Sequence, residues 1–331
     1  MKKIKSLCSL VLIMTLSFVF LTGCEGKKTP VTKDSVKSKP TFQEIVNAFI
    51  NTDISYYVDS LKEHLGDLKN VSVNDVQEFI DQISVVYGDG SIALPNSDTV
   101  YTSIVDLGKL TSYSSTTRGV NDAIIIVKGA TLHTAEGNSE KINIVALQGT
   151  DFNEGQATGI KEDLLVGMEC SNYYLYDAFL AITDNIDEGS TLYIAGLSLG
   201  GMVAQQVAGI EYLQKHYNVK YVSAIGSPLI APEMINYKET SVSRFVIEND
   251  VVPTLSNSAE DIYWNSKQNL VVDGQGVYKS FVGAHVFGYV NADIWGKYDV
   301  LGVEGGKAKI TFENVESVTL HPAPNKTANS K

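Results

Sequence analysis

Leu192-Tyr193-Ile194-Ala195-Gly196-Leu197-Ser198-Leu199-Gly200-Gly201 is the stretch on which the reading of this 331-residue chain turns. Its apolar first half reads as a buried strand, and Gly201-Met202-Val203-Ala204-Gln205-Gln206-Val207-Ala208 reads as a helix with a small first turn. A strand that runs through a sharp turn into a helix lifts the central Ser198 above the sheet. Gly196 and Gly200, two before and two after the serine, let neighbouring backbones approach with no Cβ in the way. The helix N-terminus behind Ser198 supplies N–H groups and partial positive charge where an oxyanion would form. The pattern therefore predicts a serine placed to attack a carbonyl. The plainer alternative is a glycine-rich turn between two elements of any α/β fold. A dinucleotide-binding loop is a weaker rival, since no G-x-G-x-x-G follows a strand.

A serine hydroxyl is a poor nucleophile until an imidazole takes its proton, and a carboxylate that fixes the imidazole's tautomer makes that base effective. The chain contains His64, His133, His216, His285 and His321, and only the last two lie far enough beyond Ser198 to follow a separate acid-bearing strand. His321 falls in a Pro- and Asn-containing stretch that reads as a frayed tail, which leaves His285 in Val282-Gly283-Ala284-His285-Val286-Phe287-Gly288-Tyr289. In isolation a core histidine is an equal reading of that apolar segment. Open α/β sheets gather site residues just past the carboxyl ends of strands. Ser243-Arg244-Phe245-Val246-Ile247 reads as such a strand and Glu248-Asn249-Asp250-Val251-Val252-Pro253 follows it, so Asp250 is the expected acid. Glu248 is the runner-up, with Asp261 and Asp273 more distant alternatives; a solvated loop carboxylate is the bland reading of each.

Four segments, in order over about residues 120–290, resemble the class 3 lipases, the group that includes the fungal triacylglycerol lipases. Ile144-Val145-Ala146-Leu147-Gln148-Gly149-Thr150 is similar to that family's strand ending in Arg-Gly-Ser/Thr, and Gly196 to Gly201 to its nucleophile elbow. Ala224-Ile225-Gly226-Ser227-Pro228 resembles the strand and Gly-x-Pro that come next, and Phe245 to Leu255 resembles the Asn-Asp-x-Val-Pro segment whose aspartate is the acid. The resemblance implies Asp250 as acid and His285, with Tyr289 shortly after it, as general base. It also implies that Thr150 supplies a second oxyanion donor, through its N–H and hydroxyl, beside the N–H of Leu199 that follows the nucleophile. A strand-ending Thr in an ordinary Gly-Thr-Asp turn is the alternative for Thr150. Leu197 stands where the family most often has His, and Gln148 where it has Arg; neither belongs to the triad, but the fungal enzymes' substrate preference does not carry over to this chain.

Met1-Lys2-Lys3-Ile4-Lys5 is a basic leader, and Leu7 to Leu21 is an apolar run of signal-peptide length, short for a spanning helix. It ends in Leu21-Thr22-Gly23-Cys24, which resembles the bacterial lipoprotein box and implies cleavage before Cys24 and attachment of a diacylglyceryl group to its sulfur. Several acyl chains give stable anchoring where one does not. An uncleaved anchor or a simple secretory signal is the alternative. Residues 25–40 are rich in Lys, Ser, Thr and Pro and read as a tether with a net charge of +3, which would favour an anionic leaflet; a solvated spacer is an equal reading. The formal charge of the chain is −12, and without Lys2, Lys3 and Lys5 it is −15. So acidic a body excludes nucleic-acid binding and predicts repulsion from anionic lipid unless something holds it there. Cys8 leaves with the leader and Cys24 would be acylated, so Cys170 has no disulfide partner and reads as a small buried hydrophobe.

Residues 41–88 show helical spacing, with Asn74 and Gln77 as a capping pair, and are expected to cover one side of the sheet. Asp122 to Lys128 and Lys141 to Leu147 read as neighbouring strands. The polar, glycine-punctuated segment between Asp151 and Glu169 is where the resembled family carries a lid. The expectation is a signal peptide over 1–23, a lipid-anchored tether over 24–40 and a single α/β-hydrolase domain over 41–331. That domain would have a mostly parallel central sheet covered by helices and an N-terminal helical segment. It would act on carboxylic esters of acylglycerols or related lipids, with Ser198, His285 and Asp250 as triad, Leu199 and Thr150 at the oxyanion and no cofactor or metal. Its partners would be a lipid ester and, through the anchor, the outer face of a bacterial cell membrane, with no obligate protein partner. A phospholipase, acyltransferase or narrow esterase on the same triad is one rival; an inactive hydrolase fold serving as a surface-binding lipoprotein is the other.

Overall fold

Five strands that follow one another along the chain lie side by side in the same order and direction, and three antiparallel strands extend them on one edge. The computed structural model describes residues 39–45, 94–112, 124–149, 174–228, 239–248, 250, 252–254, 268–272 and 281–320. The chain divides into two units, Met1–Lys39 and Pro40–Lys331, and all the named elements belong to the second. The strands are β1 (Val100–Tyr101), β2 (Ile124–His133), β3 (Ser139–Leu147), β4 (Thr191–Leu197), β5 (Asn218–Ile225), β6 (Ser241–Ile247), β7 (Gln268–Val272) and β8 (Lys309–Leu320). They form one eight-stranded sheet in the order β1-β8-β2-β3-β4-β5-β6-β7, parallel from β3 to β7. The class is α/β with a mixed sheet.

The helices are α1 (Ile104–Leu110), α2 over residues 174–185, α3 (Leu199–Ala208), α4 (Glu211–His216), α5 (Phe281–Phe287) and α6 (Ala292–Trp295). From β3 to β7 every crossover moves one place in the same sense, and right-handed crossovers of that kind put their helices on one face. α3 accordingly packs across β3, β4 and β5, burying Met202, Val203 and Val207. The opposite face gathers Ile144, Ala146, Tyr193, Ala195, Leu197, Ile225, Phe245 and Ile247 into a core with Ile104, Leu107 and Leu110 of α1, Phe287, Trp295 and Tyr298. These strand residues alternate along the chain with the other buried set, as strands covered on both faces require.

β2 runs on to His133, five residues beyond the expected end at Lys128, because register shifts around Gly129 (one extra residue on β2 against β3, two extra residues on β8 against β2) let pairing on both sides resume at Ala130. β8, wedged between β1 and β2, has no counterpart in the sequence reading. Of the expected N-terminal helices only a first turn, residues 42–45, is described. It opens on a reciprocal cap in which Glu44 Oε2 accepts from Thr41 N at 2.8 Å and Glu44 N donates to Thr41 Oγ1 at 3.3 Å.

Tyr174, Tyr193 and Tyr289 are among the buried phenols of the described residues. Tyr174 donates to Gln148 O at 2.9 Å, Tyr193 donates to Val300 O, and Tyr289 donates to Asp250 at 2.7 Å. Burial pushes all three hydroxyls well above the ordinary phenol range. A raised folded-state value means that the protonated form is favoured by folding, so stability is intact below the unfolded phenol value of about 10 and falls as pH rises beyond it. Urea unfolding midpoints are expected to be level between pH 7 and 9 and to drop steeply by pH 11.

Candidate active site

Ser198 sits between β4 and α3 at φ 55°, ψ −123°, a conformation that costs a non-glycine residue about 1–3 kcal/mol. Hydrogen bonds on both sides hold it there. Its N–H donates to Ile225 O of β5 at 2.9 Å, and its carbonyl accepts from Gly201 N at 3.0 Å and Met202 N at 3.2 Å. The turn is tight enough that a Cβ on Gly200 would lie 2.2 Å from Leu147 O and 2.4 Å from Gln148 O, and one on Gly196 would lie 2.1 Å from Gly200 O. The ends of β3 and β4 and the start of α3 therefore meet backbone against backbone. α3 begins at Leu199, so the N–H of Leu199 has no acceptor within its helix.

His285, on α5, reaches Ser198 and Asp250 at once: its Nε2 lies 2.9 Å from Ser198 Oγ and its Nδ1 lies 2.8 Å from Asp250 Oδ2. Asp250 follows β6 in a turn closed by its own N–H to Ile247 O at 2.9 Å, and Asp250 Oδ1 accepts from Val252 N at 2.9 Å. The same Oδ2 that faces His285 also accepts the Tyr289 hydroxyl at 2.7 Å, while Tyr289 Oη accepts from Ile247 N at 3.1 Å. Ser198 and Asp250 have no exposure and His285 has 4%. In this dry setting the carboxylate has donors at both oxygens, and with Nδ1 of His285 protonated toward Asp250, Nε2 is left to accept from Ser198. The Tyr289 phenol is raised by burial first and then by the Asp250 charge, so it stays a donor.

Tyr289 is itself clamped. Its ring stacks on Trp295 at 6.0 Å and lies so close to Gly226, at φ 52°, that a Cβ there would be 2.4 Å from the ring. The Ser227-Pro228 turn that follows is tied to α3 by Gln205, whose Nε2 lies 3.0 Å from Ser227 Oγ and 3.2 Å from Pro228 O. The buried Arg244 of β6 donates from Nη2 to Ser227 O at 3.2 Å.

Among the other residues singled out in the sequence, Glu248 is exposed and its N–H extends the β6–β7 ladder to Val272 O. His133 bridges Ser139 Oγ and Thr311 Oγ1 at 2.8 and 2.9 Å, and His216 lies 3.1 Å from Glu188; neither belongs to the cluster at Ser198. Thr150, the Asp151–Glu169 segment, His64, His321, Asp261, Asp273, Cys24 and Cys170 lie outside the described residues. Tyr289 as a second donor to the acid, and Gln205 and Arg244 as ties beneath the turn, went unread in the sequence. A tyrosine four residues after a candidate base was the one signal present, one helical turn along. Among the described residues no group of three His, Cys, Asp or Glu side chains is placed to hold a metal ion, and no helix is long and apolar enough to cross a membrane. Compared with protein-family models, with curated proteins and with solved structures, the chain matches none.

Gly200→Ala drives a methyl group into the carbonyl oxygens of Leu147, the last residue of β3, and of Gln148 just after it. Loss of about 3 kcal/mol or more of stability is expected, read as a lowered urea midpoint. Alanine at the open Gly137 in the β2–β3 turn meets no atom within 4 Å and should cost only the left-handed backbone penalty of about 1–2 kcal/mol.

Proposed function

We propose that the chain is a serine hydrolase of carboxylic esters built on an α/β-hydrolase scaffold, with lipid esters as substrates. The observation that carries the reading is the unbroken hydrogen-bond path from Ser198 Oγ through both nitrogens of His285 to Asp250, starting from a serine held at positive φ at a strand-to-helix turn. In this reading Ser198 attacks the ester carbonyl while His285 Nε2 accepts its proton. Asp250 keeps the imidazole oriented and stabilises the imidazolium, without itself taking a proton. The N–H of Leu199, with Thr150, receives the negative charge that develops on the carbonyl oxygen. Collapse of the tetrahedral adduct expels the alcohol, protonated by His285, and leaves an acyl group on Ser198. A water deprotonated by the same imidazole then releases the acid and restores the serine.

Support for lipid esters comes from the segments that resemble the class 3 lipases and from the Leu21-Thr22-Gly23-Cys24 box, which would place the enzyme at a membrane surface. The hydrolase scaffold is supported by the parallel strands β3 to β7, by the turn after β4 that carries the serine, and by the acid after β6 and the base on α5. The N-terminal helical segment and the lipid anchor at Cys24 belong to the same proposal.

Ser198→Ala is expected to lower turnover of p-nitrophenyl butyrate by about 10⁵-fold and to abolish labelling by a fluorophosphonate probe, with the unfolding midpoint retained; undiminished turnover would sink the reading. Asp250→Asn should lower kcat by about 10⁴-fold through the wrong imidazole tautomer. Tyr289→Phe removes one donor to the charged carboxylate, worth about 1.5 kcal/mol, and should lower kcat/KM about tenfold. Because the phenol stays protonated well above its ordinary value, that variant and the parent are expected to share the shape of their pH profile up to about pH 10. Products from triacylglycerol, phospholipid and short esters, with and without an added alcohol, separate lipase from phospholipase and acyltransferase.

A further inference from the structure

A buried polar side chain beside the Ser198 turn is left without a hydrogen-bond partner. Gln148, the first residue after β3, is 3% exposed, and its amide nitrogen is enclosed with no acceptor. The backbone that carries it is fixed. Register pairs Leu147 with Gly196, and the Gln148 carbonyl accepts the Tyr174 hydroxyl at 2.9 Å. Gly200 of α3 lies so close to the same carbonyl that a Cβ there would stand 2.4 Å away. A backbone held in this way cannot shift to carry the amide into water.

The position is next to the chemistry. One step beyond the Leu147–Gly196 pair, Gln148 stands level with Leu197, the residue before Ser198. Ile142, Ile144 and Ala146 alternate onto the sheet face that carries Tyr193, Ala195 and Leu197, and the same cluster takes in Ala284 and Phe287, which bracket His285 on α5. Carried one step past the strand, that alternation sets Gln148 on the face from which His285 reaches the serine.

A buried amide with no hydrogen bond destabilises the folded chain, a cost that an apolar side chain of the same length would not incur. What binds beside it can supply the missing acceptor. In the hydrolase reading of Ser198, on which this inference rests, the carbonyl oxygen of the ester goes to Leu199 and Thr150 and the leaving oxygen takes its proton from His285. The acyl chain of a lipid ester is hydrocarbon, so the remaining acceptor lies on the alcohol portion. A site with a buried donor selects the substrate that satisfies it against the analogue that leaves it unpaired. We propose that Gln148 is a specificity-determining residue of the ester site, its Nε2 donating to a second oxygen on the alcohol portion of the substrate, so that esters of polyols such as glycerol are taken in preference to esters of simple alkanols.

Glyceryl 1-monobutyrate and n-propyl butyrate share an acyl group and a carbon skeleton and differ only in the hydroxyls of the alcohol. The full-length chain is expected to favour the glyceryl ester in kcat/KM by about tenfold. Gln148→Met, which keeps the length and removes the amide, should bring that ratio close to one, chiefly by raising KM for the glyceryl ester, with the urea midpoint held or raised. Should it fail to fold, Gln148→Leu replaces it. A parent that treats the two esters alike, or a folded variant that keeps the parent's ratio, overturns the proposal. So does a folded variant with a lowered midpoint, since the amide is then paired within the protein. Fluorophosphonate labelling of the parent separates the two readings: with Ser198 labelled, any of these results removes the role of Gln148 alone, whereas an unlabelled chain inert to both esters removes the hydrolase and this inference with it.

Discussion

A carboxylate with no exposure to water has to find its donors in the protein, and Asp250 finds them in three places: the imidazole of His285, the hydroxyl of Tyr289 and the backbone N–H of Val252. Each donor belongs to a different local segment, so satisfying this one side chain sets where α5 and the turn after it stand relative to the end of β6. Leaving a buried charge short of partners costs several kcal/mol. The arrangement is thus held by electrostatics as well as by packing, and Ser198 enters it only through the far nitrogen of His285.

The backbone contacts around Ser198 impose a second, steric constraint. Gly200 lies against the carbonyls of Leu147 and Gln148, Gly196 against that of Gly200, and Gly226 against the ring of Tyr289. Three strand ends and the start of α3 come together at distances that only hydrogen in place of a side chain permits. The two faces of the sheet then divide the work. α3 leaves Ser198 along one face, while α1, α5 and α6 close the other. Ser198 arrives from the first side and His285 from the second, at the carboxyl ends of parallel strands, where open α/β sheets gather their sites. The amino ends of the same strands carry tyrosines and serines in place of hydrocarbon.

Strands bounded by turn residues were legible where hydrophobicity ran unbroken. Ile144 to Leu147, Leu192 to Leu197 and Ser243 to Ile247 stand close to where their composition puts them. β8 escaped because Lys309–Leu320 interleaves charged and apolar residues on a half-exposed strand, and Asn314, at φ 50°, breaks the alternation. β2 was cut short at Lys128 because a glycine after a charged residue reads as a strand end. In the sheet, Gly129 instead sits at a register shift opposite Glu313 and Asn314.

What the sequence determined alone is what short-range geometry dictates: a serine between glycines at a strand-to-helix turn, written in the five consecutive residues from Gly196 to Gly200. The tertiary structure decided which distant groups serve that serine. His285 lies 87 residues beyond Ser198, with Asp250 between them, 35 residues before His285, and no local rule selects among five histidines or between Glu248 and Asp250. The selection is physical. The chain folds back on itself after Ile247, turning Asp250 inward, while Glu248 remains on the ladder to β7 with its side chain in water. Only a structure in which β6, α5 and the Ser198 turn are packed together brings those side chains within hydrogen-bonding distance.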